Sequence, residues 1–340
     1  MKPHHWMLLP ALGFGVAITE ARADTWPARP IRAVIPVGAG STTDIIPRIV
    51  FEQLSAALGH RIVVENRPGA GTTIGVASVA KADPDGYTWL VNSNAQTIAP
   101  SLYSNLTYDA AKDFAAVVPL GVSPNVLVVS PSKGIKTIGD LVSAAKARPG
   151  ALNFSSVGVG TATHLSAERF RLSAGIDIVH VPFRGGSEAM SEVIAGRIDF
   201  FFGPVGIVLP QVREGNLLAL VVNGTKRAGV LPDVPTTLEA GFRDAEYPAW
   251  FGLFLPVKTP RVIVEKLHAE ALKTLQAPKM LEKLSGLGVD AMPMTPAEFD
   301  AYVAKEIAVN AALVKAAGLK HNRRHARGAL RKSRYRSSTL

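Results

Sequence analysis

After Pro30 the sequence alternates short apolar runs with amphipathic stretches of helical length, and this alternation restricts the fold more than any other feature. Residues 31–35 form the first apolar run, a loop of small residues follows, and a helical pattern runs from about Asp44 until Gly59 ends it. Strands that alternate with helices in this way are typical of mainly parallel sheets covered by helices. The sequence therefore predicts an α/β fold.

A second block repeats this order of strands and helices. A chain of 340 residues is long enough for two domains. We therefore predict two similar α/β domains in series. The strand-like runs of the second block are residues 126–129, 152–154, 177–181 and 198–202.

The last third of the chain contains three signals for the start of a helix. Thr236 with Glu239, and Thr295 with Glu298, have the spacing of capping boxes, and Thr259 precedes a proline. Each signal predicts that a helix begins there.

The two ends of the chain differ from its body. Lys2, an apolar stretch over residues 7–18 and the tripeptide Ala21-Arg22-Ala23 have the design of a signal peptide. We predict cleavage after Ala23 and export, the alternative being a buried N-terminal helix. Residues 321–340 hold seven Arg or Lys and no acid, and we predict a disordered basic tail.

Charge and cysteine content exclude several classes of function. The net charge is +10, but most of the excess lies in the two ends, so the body gives no reason to expect a nucleic-acid partner. Salt-sensitive binding through the tail remains an alternative that would say nothing about the body. The absence of cysteine excludes disulfides, thiolate zinc sites, iron–sulfur clusters and a cysteine nucleophile.

Two loops, one in each predicted domain, have the composition of an anion site. Residues 36–44 and 155–164 each follow a strand, consist mainly of Gly, Ala, Ser, Thr and Val, and lead into a helix. The first N–H groups of a helix carry partial positive charge, and small residues let a ligand approach them. Each loop alone is equally compatible with an ordinary connection, but one such loop in each domain favours a binding site.

Enzyme motifs are mostly absent from the sequence. It has no Walker loop, no H-E-x-x-H and no G-x-S-x-G, and its glycine-rich stretches lack the dinucleotide-binding spacing. The histidines of the body are far apart in sequence. His164, at a helix start, is of a kind that more often caps or packs than catalyses.

Three charged residues each allow two roles. Asp44 stands at a helix start, where capping is favoured over a ligand contact. Asp199 enters an apolar strand, and both a hydrogen bond into a cleft and a salt bridge remain open. Arg184 could bind a ligand carboxylate or form an ion pair.

The segments of the chain, taken in their order along the sequence, resemble one protein family, the periplasmic receptors of tripartite tricarboxylate transporters, also called Bug receptors. The resemblance covers roughly residues 24–320. It is carried by WPARPIRAVIP, STTDIIPRI, VVENRPGAGTTIG, ADPDGYTWL, SSVGVGTATHL, VHVPFRGG, AGRIDFFF, TKRAGVLPDVPTTLEAGF, WFGLFLPVKTP and a final helix ending AAGLK.

The resemblance implies a type II periplasmic-binding-protein fold whose two lobes close over a small organic carboxylate. It implies one lobe from residues 24–125 plus 223–320, another from 126–222, and hinge strands at 126–129 and 218–222. We expect membrane components of a tripartite carrier as partners, a monomer, no nucleic acid, no metal and no cofactor. The alternative is an α/β enzyme acting on a carboxylate, with His164 or Asp199 as base.

The resemblance also gives a set of expected ligand-binding residues. In the family, the two loops hold a ligand carboxylate through backbone N–H and hydroxyl groups. Val37 and Ser41 replace the usual aromatic residue and second glycine, and Gly203 stands where a second aspartate is usual, which favours a more anionic ligand. Together with the charged candidates above, the set is Ala39, Gly40, Ser41, Thr42, Thr43, Asp44, Gly158, Gly160, Thr161, His164, Arg184 and Asp199.

Overall fold

Residues 26–319, which the computed structural model describes, contain two five-stranded sheets, each covered by helices. This arrangement confirms the predicted α/β fold with two lobes. The expected signal peptide (1–23) and basic tail (321–340) lie outside the described residues. No helix within residues 26–319 is both long and apolar enough to cross a bilayer.

The first sheet begins with parallel strands and ends with antiparallel ones. In spatial order it consists of β2 (Ile62–Asn66), β1 (Ile31–Ile35), β3 (Thr88–Ser93), β10 (Ala249–Pro256) and β4 (Phe114–Ser123). β1 pairs in parallel with both of its neighbours, whereas β10 runs antiparallel between β3 and β4. The first lobe is therefore completed by a strand from late in the chain.

In the described part of the chain, six helices belong to the first sheet. They pack on it and on one another over a core that includes Trp89, Phe251 and Phe299. Their bounds are α1 (Thr42–Leu58), α2 (Thr73–Ala80), α3 (Ala95–Leu102), α8 (Arg261–Gln276), α9 (Pro278–Gly286) and α10 (Pro296–Ala316).

The second sheet is built from one continuous part of the chain. In spatial order it consists of β7 (Val179–Pro182), β6 (Asn153–Ser156), β8 (Phe200–Pro204), β5 (Asn125–Val129) and β9 (Leu218–Val222). Its helices are α4 (Ile138–Ala147), α5 (Ala162–Ala174), α6 (Gly186–Ile194) and α7 (Val205–Arg213). β6, β7 and β8 are parallel, so the loops that follow β6 and β7 emerge at one edge of the sheet.

Within residues 26–319 the chain crosses between the sheets twice. The first crossover is the short step at Pro124 between β4 and β5, and the second lies between β9 and β10. The stretch from 223 to 248 packs against the second sheet through Phe242 and Ala245, although the sequence assigned it to the first lobe. The strands expected to act as hinges, β5 and β9, lie inside the second sheet beside these crossovers.

Two of the three predicted helix starts are confirmed. Thr295 and Glu298 exchange the two hydrogen bonds of a capping box at the start of α10, and α8 begins just after Pro260. Thr236 and Glu239 also bond to each other reciprocally. The chain makes only a turn there, so the predicted helix at Thr236 is wrong, because the cap satisfies backbone groups without an amphipathic run to extend it.

Candidate functional site

The first loop joins β1 to α1 and leaves the start of the helix uncapped. Ser41 is the N-cap residue, but its hydroxyl donates to the carbonyl of Gly38 at 3.1 Å and accepts no helix N–H. Ala39 and Gly40 are exposed. The carbonyl of Ser41 accepts the N–H of Asp44 at 2.9 Å, and no side chain caps α1, so the N–H groups of Thr42 and Thr43 are the ones left for an anion.

Asp44 holds this loop in place. It is 2% exposed, and its carboxylate accepts hydrogen bonds from the backbone N–H of Gly40 (2.9 Å), Nδ2 of Asn66 (2.8 Å) and Nε of Arg48 (2.9 Å). Burial raises the pKa of Asp44, but these hydrogen bonds from Asn66, Gly40 and Arg48 outweigh it, so the pKa lies below its ordinary value. The carboxylate is committed to protein donors, and it holds the loop before α1 instead of capping an N–H group of the helix as expected.

Thr42, the first residue of α1, carries a hydroxyl that the protein leaves unsatisfied. Its Oγ1 is buried and has no hydrogen-bond partner in the described part of the chain. A buried hydroxyl without a partner costs free energy. The hydroxyl and the neighbouring N–H groups therefore form an unsatisfied donor set, which suits a negatively charged ligand.

The second loop, residues 157–161, joins β6 to α5. The Thr161 hydroxyl accepts the N–H of His164 at 3.4 Å and donates to the carbonyl of Gly158 at 2.7 Å. Gly160 has φ of 77°, a left-handed conformation, and a Cβ atom there would lie 2.5 Å from Cδ1 of Leu102. The loop therefore needs glycine at position 160, where it lies against α3 of the first lobe.

Two stacked histidines lie beneath the second loop. Nδ1 of His164 accepts the N–H of Gly160 at 3.2 Å, and its ring lies 3.9 Å from that of His180 at an interplanar angle of 13°. Nε2 of His180 lies 2.6 Å from Oγ of Ser156, which also accepts the N–H of Gly158 at 3.1 Å. His164 is 1% exposed, so it supports the loop from below.

Both histidines are neutral at ordinary pH. Burial, together with the smaller effect of the positive charges that His180 and Arg171 can carry, lowers the pKa of His164 to about 3. Burial lowers the pKa of His180 to about 4. The structure supports the packing alternative for His164, since a ring this buried has no access to a substrate.

The fold brings the two loops to the junction between the lobes. Val37 of the first loop and Ala162, the first residue of α5, pack against the same apolar cluster of the first lobe. Leu165 of α5 also packs with Ile98 and Leu102 of α3. The N-terminus of α5 therefore lies against the first lobe, whose core also contacts the first loop.

The structure places the two remaining charged candidates at opposite ends of the second sheet. Arg184 is exposed and follows β7, where the N–H of Phe183 donates to the carbonyl of Ser156 at 2.9 Å, so it lies at the edge that carries the second loop. Asp199 immediately precedes β8 and therefore lies at the other edge. Its carboxylate accepts from Nζ of Lys133 and the N–H of Asn153, both at 2.8 Å. Asp199 therefore forms the salt bridge that was one of its two expected roles, and it lies away from both loops.

Sequence reasoning missed the residues that support the loops from neighbouring strands. Asn66 ends β2, is in register with Ile35, and donates to the carbonyl of Val37 at 3.0 Å as well as to Asp44. His180 is in register with Phe154. The available signal for Asn66 was its position as a polar residue at the end of β2, the strand parallel to β1, which precedes the first loop.

A family model covers most of the described chain. The model described as "Tripartite tricarboxylate transporter family receptor" matches residues 46–319. Protein BugT of Bordetella pertussis is 32% identical over 319 residues, which are 92% of this chain and 98% of BugT.

Two solved structures of similar proteins share the architecture. One, described as R. palustris Rpa4515 with adipate, has a TM-score of 0.81 and 31% identity, and the match covers 86% of this chain and 98% of the other. The second, MatC (Rpa3494) from Rhodopseudomonas palustris with bound malate, has a TM-score of 0.78 and 30% identity, and the match covers 85% of this chain and 100% of the other. The two-lobed fold therefore extends over nearly the whole of these proteins.

Proposed function

Because the chain belongs to the tripartite tricarboxylate transporter receptor family, whose members are solute-binding receptors and not enzymes, we propose that it captures a small organic carboxylate between its lobes and delivers it to a membrane carrier. The observation that supports this proposal is that the N-terminus of α5, in the second lobe, lies against the first lobe, whose core also contacts the loop before α1. Partial positive charge from both helices then acts on one bound anion.

The donors of the proposed site are mainly backbone groups. In the first lobe they come from Ala39, Ser41, Thr42 and Thr43, with the unsatisfied hydroxyl of Thr42 among them, whereas the N–H of Gly40 donates to Asp44. In the second lobe they come from the N-terminus of α5, because the N–H groups of Gly158 and Gly160 in the loop that ends at Thr161 already donate to Ser156 and His164. The exposed Arg184 supplies a cation at the same edge. Asp44 and His164 act on the ligand through the loops that they hold.

The proposed ligand class is a small dicarboxylate. The similar proteins Rpa4515 and MatC were solved with adipate and malate. Each of these acids has two carboxylates, one for each side of a cleft. A ligand that bridges two lobes binds the closed state more tightly than the open one and shifts the equilibrium toward closure. The replacement of the usual second aspartate by Gly203 favours an acid over an amine-bearing ligand, since a carboxylate there would attract an amine.

We also propose where the protein acts and with which partners. We expect export to the periplasm with removal of residues 1–23, a monomeric receptor, and membrane components of a tripartite carrier as the acceptor of the ligand. The pattern of a charged segment, a short apolar segment and Ala21-Arg22-Ala23 supports export.

A thermal-shift screen of organic acids on the purified protein tests the function. A ligand at one hundred times its dissociation constant adds about 2.7 kcal/mol to the free energy of unfolding, so a binder raises the melting temperature measurably. Adipate and malate serve as first probes, with their diamides as controls of the same shape without charge. Isothermal titration then gives the affinity. Failure of every acid to bind, or equal binding of acid and diamide, would overturn the proposal.

A further inference from the structure

Two neutral imidazole rings, those of His164 and His180, support the second loop from below. Each is linked to the N–H of a different glycine, one directly and the other through Ser156. The ring of Phe154 continues the stack at 4.9 Å from His180, so both imidazoles are held on a rigid apolar floor. The shape of the loop therefore depends on groups that a ligand in the cleft would not touch.

The bond to Gly160 requires one protonation state of His164. A backbone N–H can only donate, so Nδ1 must keep its lone pair, and the proton of the neutral ring must sit on Nε2. Protonation of Nδ1 would set two N–H groups against each other at 3.2 Å and release Gly160. The loop can keep its observed shape only while His164 remains neutral.

The charged groups that face the two histidines do little to stabilise a protonated imidazole. Oε1 of Glu168 lies 3.8 Å from Nε2 of His164, but its other carboxylate oxygen accepts Nε of Arg171 at 2.7 Å. The guanidinium of Arg171 adds positive charge nearby, and a second imidazolium on the stacked ring would repel the first. Loop geometry, ring stacking and local charge all favour the neutral pair.

We propose that His164 and His180 are positioning residues, whose neutral stacked rings hold the N–H groups of Gly160 and, through Ser156, of Gly158. They thereby fix the loop of residues 157–161 in the shape that presents the N-terminus of α5 to a carboxylate. The effect on affinity rests on the proposed function, whereas the effect on the loop does not. The pair is therefore testable first without any ligand.

The ligand-free test uses nitrogen-15 spectra of the full chain labelled at histidine and glycine. At pH 7 we expect Nδ1 of His164 to be unprotonated and the Gly160 amide to exchange slowly with solvent. His164→Leu removes the acceptor and should speed that exchange about tenfold or more, because the N–H of Gly160 loses the hydrogen bond that protects it. His164→Asn supplies an amide oxygen near the position of Nδ1 and should restore protection.

A second variant keeps the test informative if His164→Leu does not fold. His180→Phe preserves the aromatic stack and removes the contact with Ser156, so the Gly158 amide should change more than that of Gly160. His268→Leu is the matched control, since His268 is a partly buried histidine of α8 that contacts the carbonyl of Met294 at 3.0 Å. It should leave both glycine amides unchanged.

The ligand arm measures adipate affinity by titration calorimetry at pH 7. We expect about a tenfold loss in His164→Leu, recovery of most of that loss in His164→Asn, and no change in His268→Leu. A protonated Nδ1 at pH 7, or unchanged Gly160 exchange in His164→Leu, would overturn the positioning role. If the spectra behave as expected but no acid binds the unaltered chain, the positioning role stands and the proposed function fails.

Discussion

The hydroxyl of Tyr247 donates a 2.6 Å hydrogen bond to Oδ1 of Asn310, and this bond joins the second crossover to α10. Nδ2 of Asn310 in turn donates to Oγ1 of Thr97 in α3 at 2.9 Å. On the other side, Nδ2 of Asn223 donates to the carbonyl of Tyr247 at 2.9 Å and to Oγ of Ser166 at 2.7 Å. All five residues are buried, so a continuous polar network connects the lobes inside the junction.

Tyr247→Phe should therefore destabilise the protein by about 1–3 kcal/mol, because it leaves a buried acceptor on Asn310 unsatisfied. Urea denaturation monitored by fluorescence measures this loss. In an Asn310→Leu background the same change should cost clearly less, and the difference gives the coupling between the two side chains. Equal costs in both backgrounds would show that the bond contributes nothing.

Thr42→Val should weaken carboxylate binding about tenfold without lowering the melting temperature of the ligand-free protein. The reason is that Oγ1 of Thr42 is buried but has no partner within the described residues, so its removal costs the empty protein no hydrogen bond. Thermal denaturation and titration with adipate measure the two effects.

Thr161→Val is the contrasting variant. The Thr161 hydroxyl caps α5, and loss of such a cap costs about 0.5–2 kcal/mol of stability. A fall in ligand-free stability for Thr42→Val equal to that for Thr161→Val would contradict an unsatisfied hydroxyl at position 42.

Asp44→Asn should lower both stability and affinity. The charged carboxylate accepts three hydrogen bonds that hold the first loop, and hydrogen bonds to charged groups contribute about 1.5–3 kcal/mol each. Since the pKa of Asp44 is lowered, its contribution is present at neutral pH and is lost only as the pH falls through the acid range below the ordinary value.

Asp85→Asn is the matched control for this change, because the Asp85 side chain is 40% exposed and pairs with an exposed Arg29. It should alter the free energy of unfolding by less than about 1 kcal/mol. Urea denaturation at pH 7 compares the two variants. Similar losses in both would show that the buried contacts of Asp44 carry no special weight.

Stability should fall as the pH is lowered from 6.5 toward 4. In this range the unfolded chain binds a proton on each of His164 and His180, whereas the folded protein, with pKa values of about 3 and about 4, does not. Each group then lowers the free energy of unfolding by at most about 1.4 kcal/mol per pH unit.

Denaturation of wild type and His180→Phe at several pH values isolates this effect from the titration of carboxylates. The variant lacks one of the two groups, so its stability should depend less steeply on pH. Parallel curves for the two proteins would show that His180 takes no part.

The sequence was sufficient for elements with clear local signals. β1 has the predicted bounds, and Gly59 ends α1 in a left-handed conformation as expected. It was not sufficient for α3 and α7, which contain Pro100 and Pro210, because an internal proline is read as a break. β4 is almost fully buried along its length and therefore lacks the alternation that marks a strand with one exposed face.

The candidate site was predicted in its loops but not in its supports. Composition and position after a strand located residues 36–44 and 155–164, which depend on local sequence. The roles of Asn66 and His180 depend on which strands become neighbours, and that is decided by the whole sheet. Asp199 shows a related limit, because a residue that precedes a strand parallel to β6 lies at the edge away from the loop.

The insertion of β10 between β3 and β4 makes the order of synthesis matter for folding. All strands of the second sheet lie within residues 125–222, so a nascent chain holds the complete set well before residue 249 has been added. Until then β3 and β4 have no strand between them, and unpaired strand edges promote aggregation. A chain that stops short of residue 249 would thus keep a complete second sheet attached to an unfinished first one. The first sheet can be completed, and its strand edges protected, only after β10 has been synthesised.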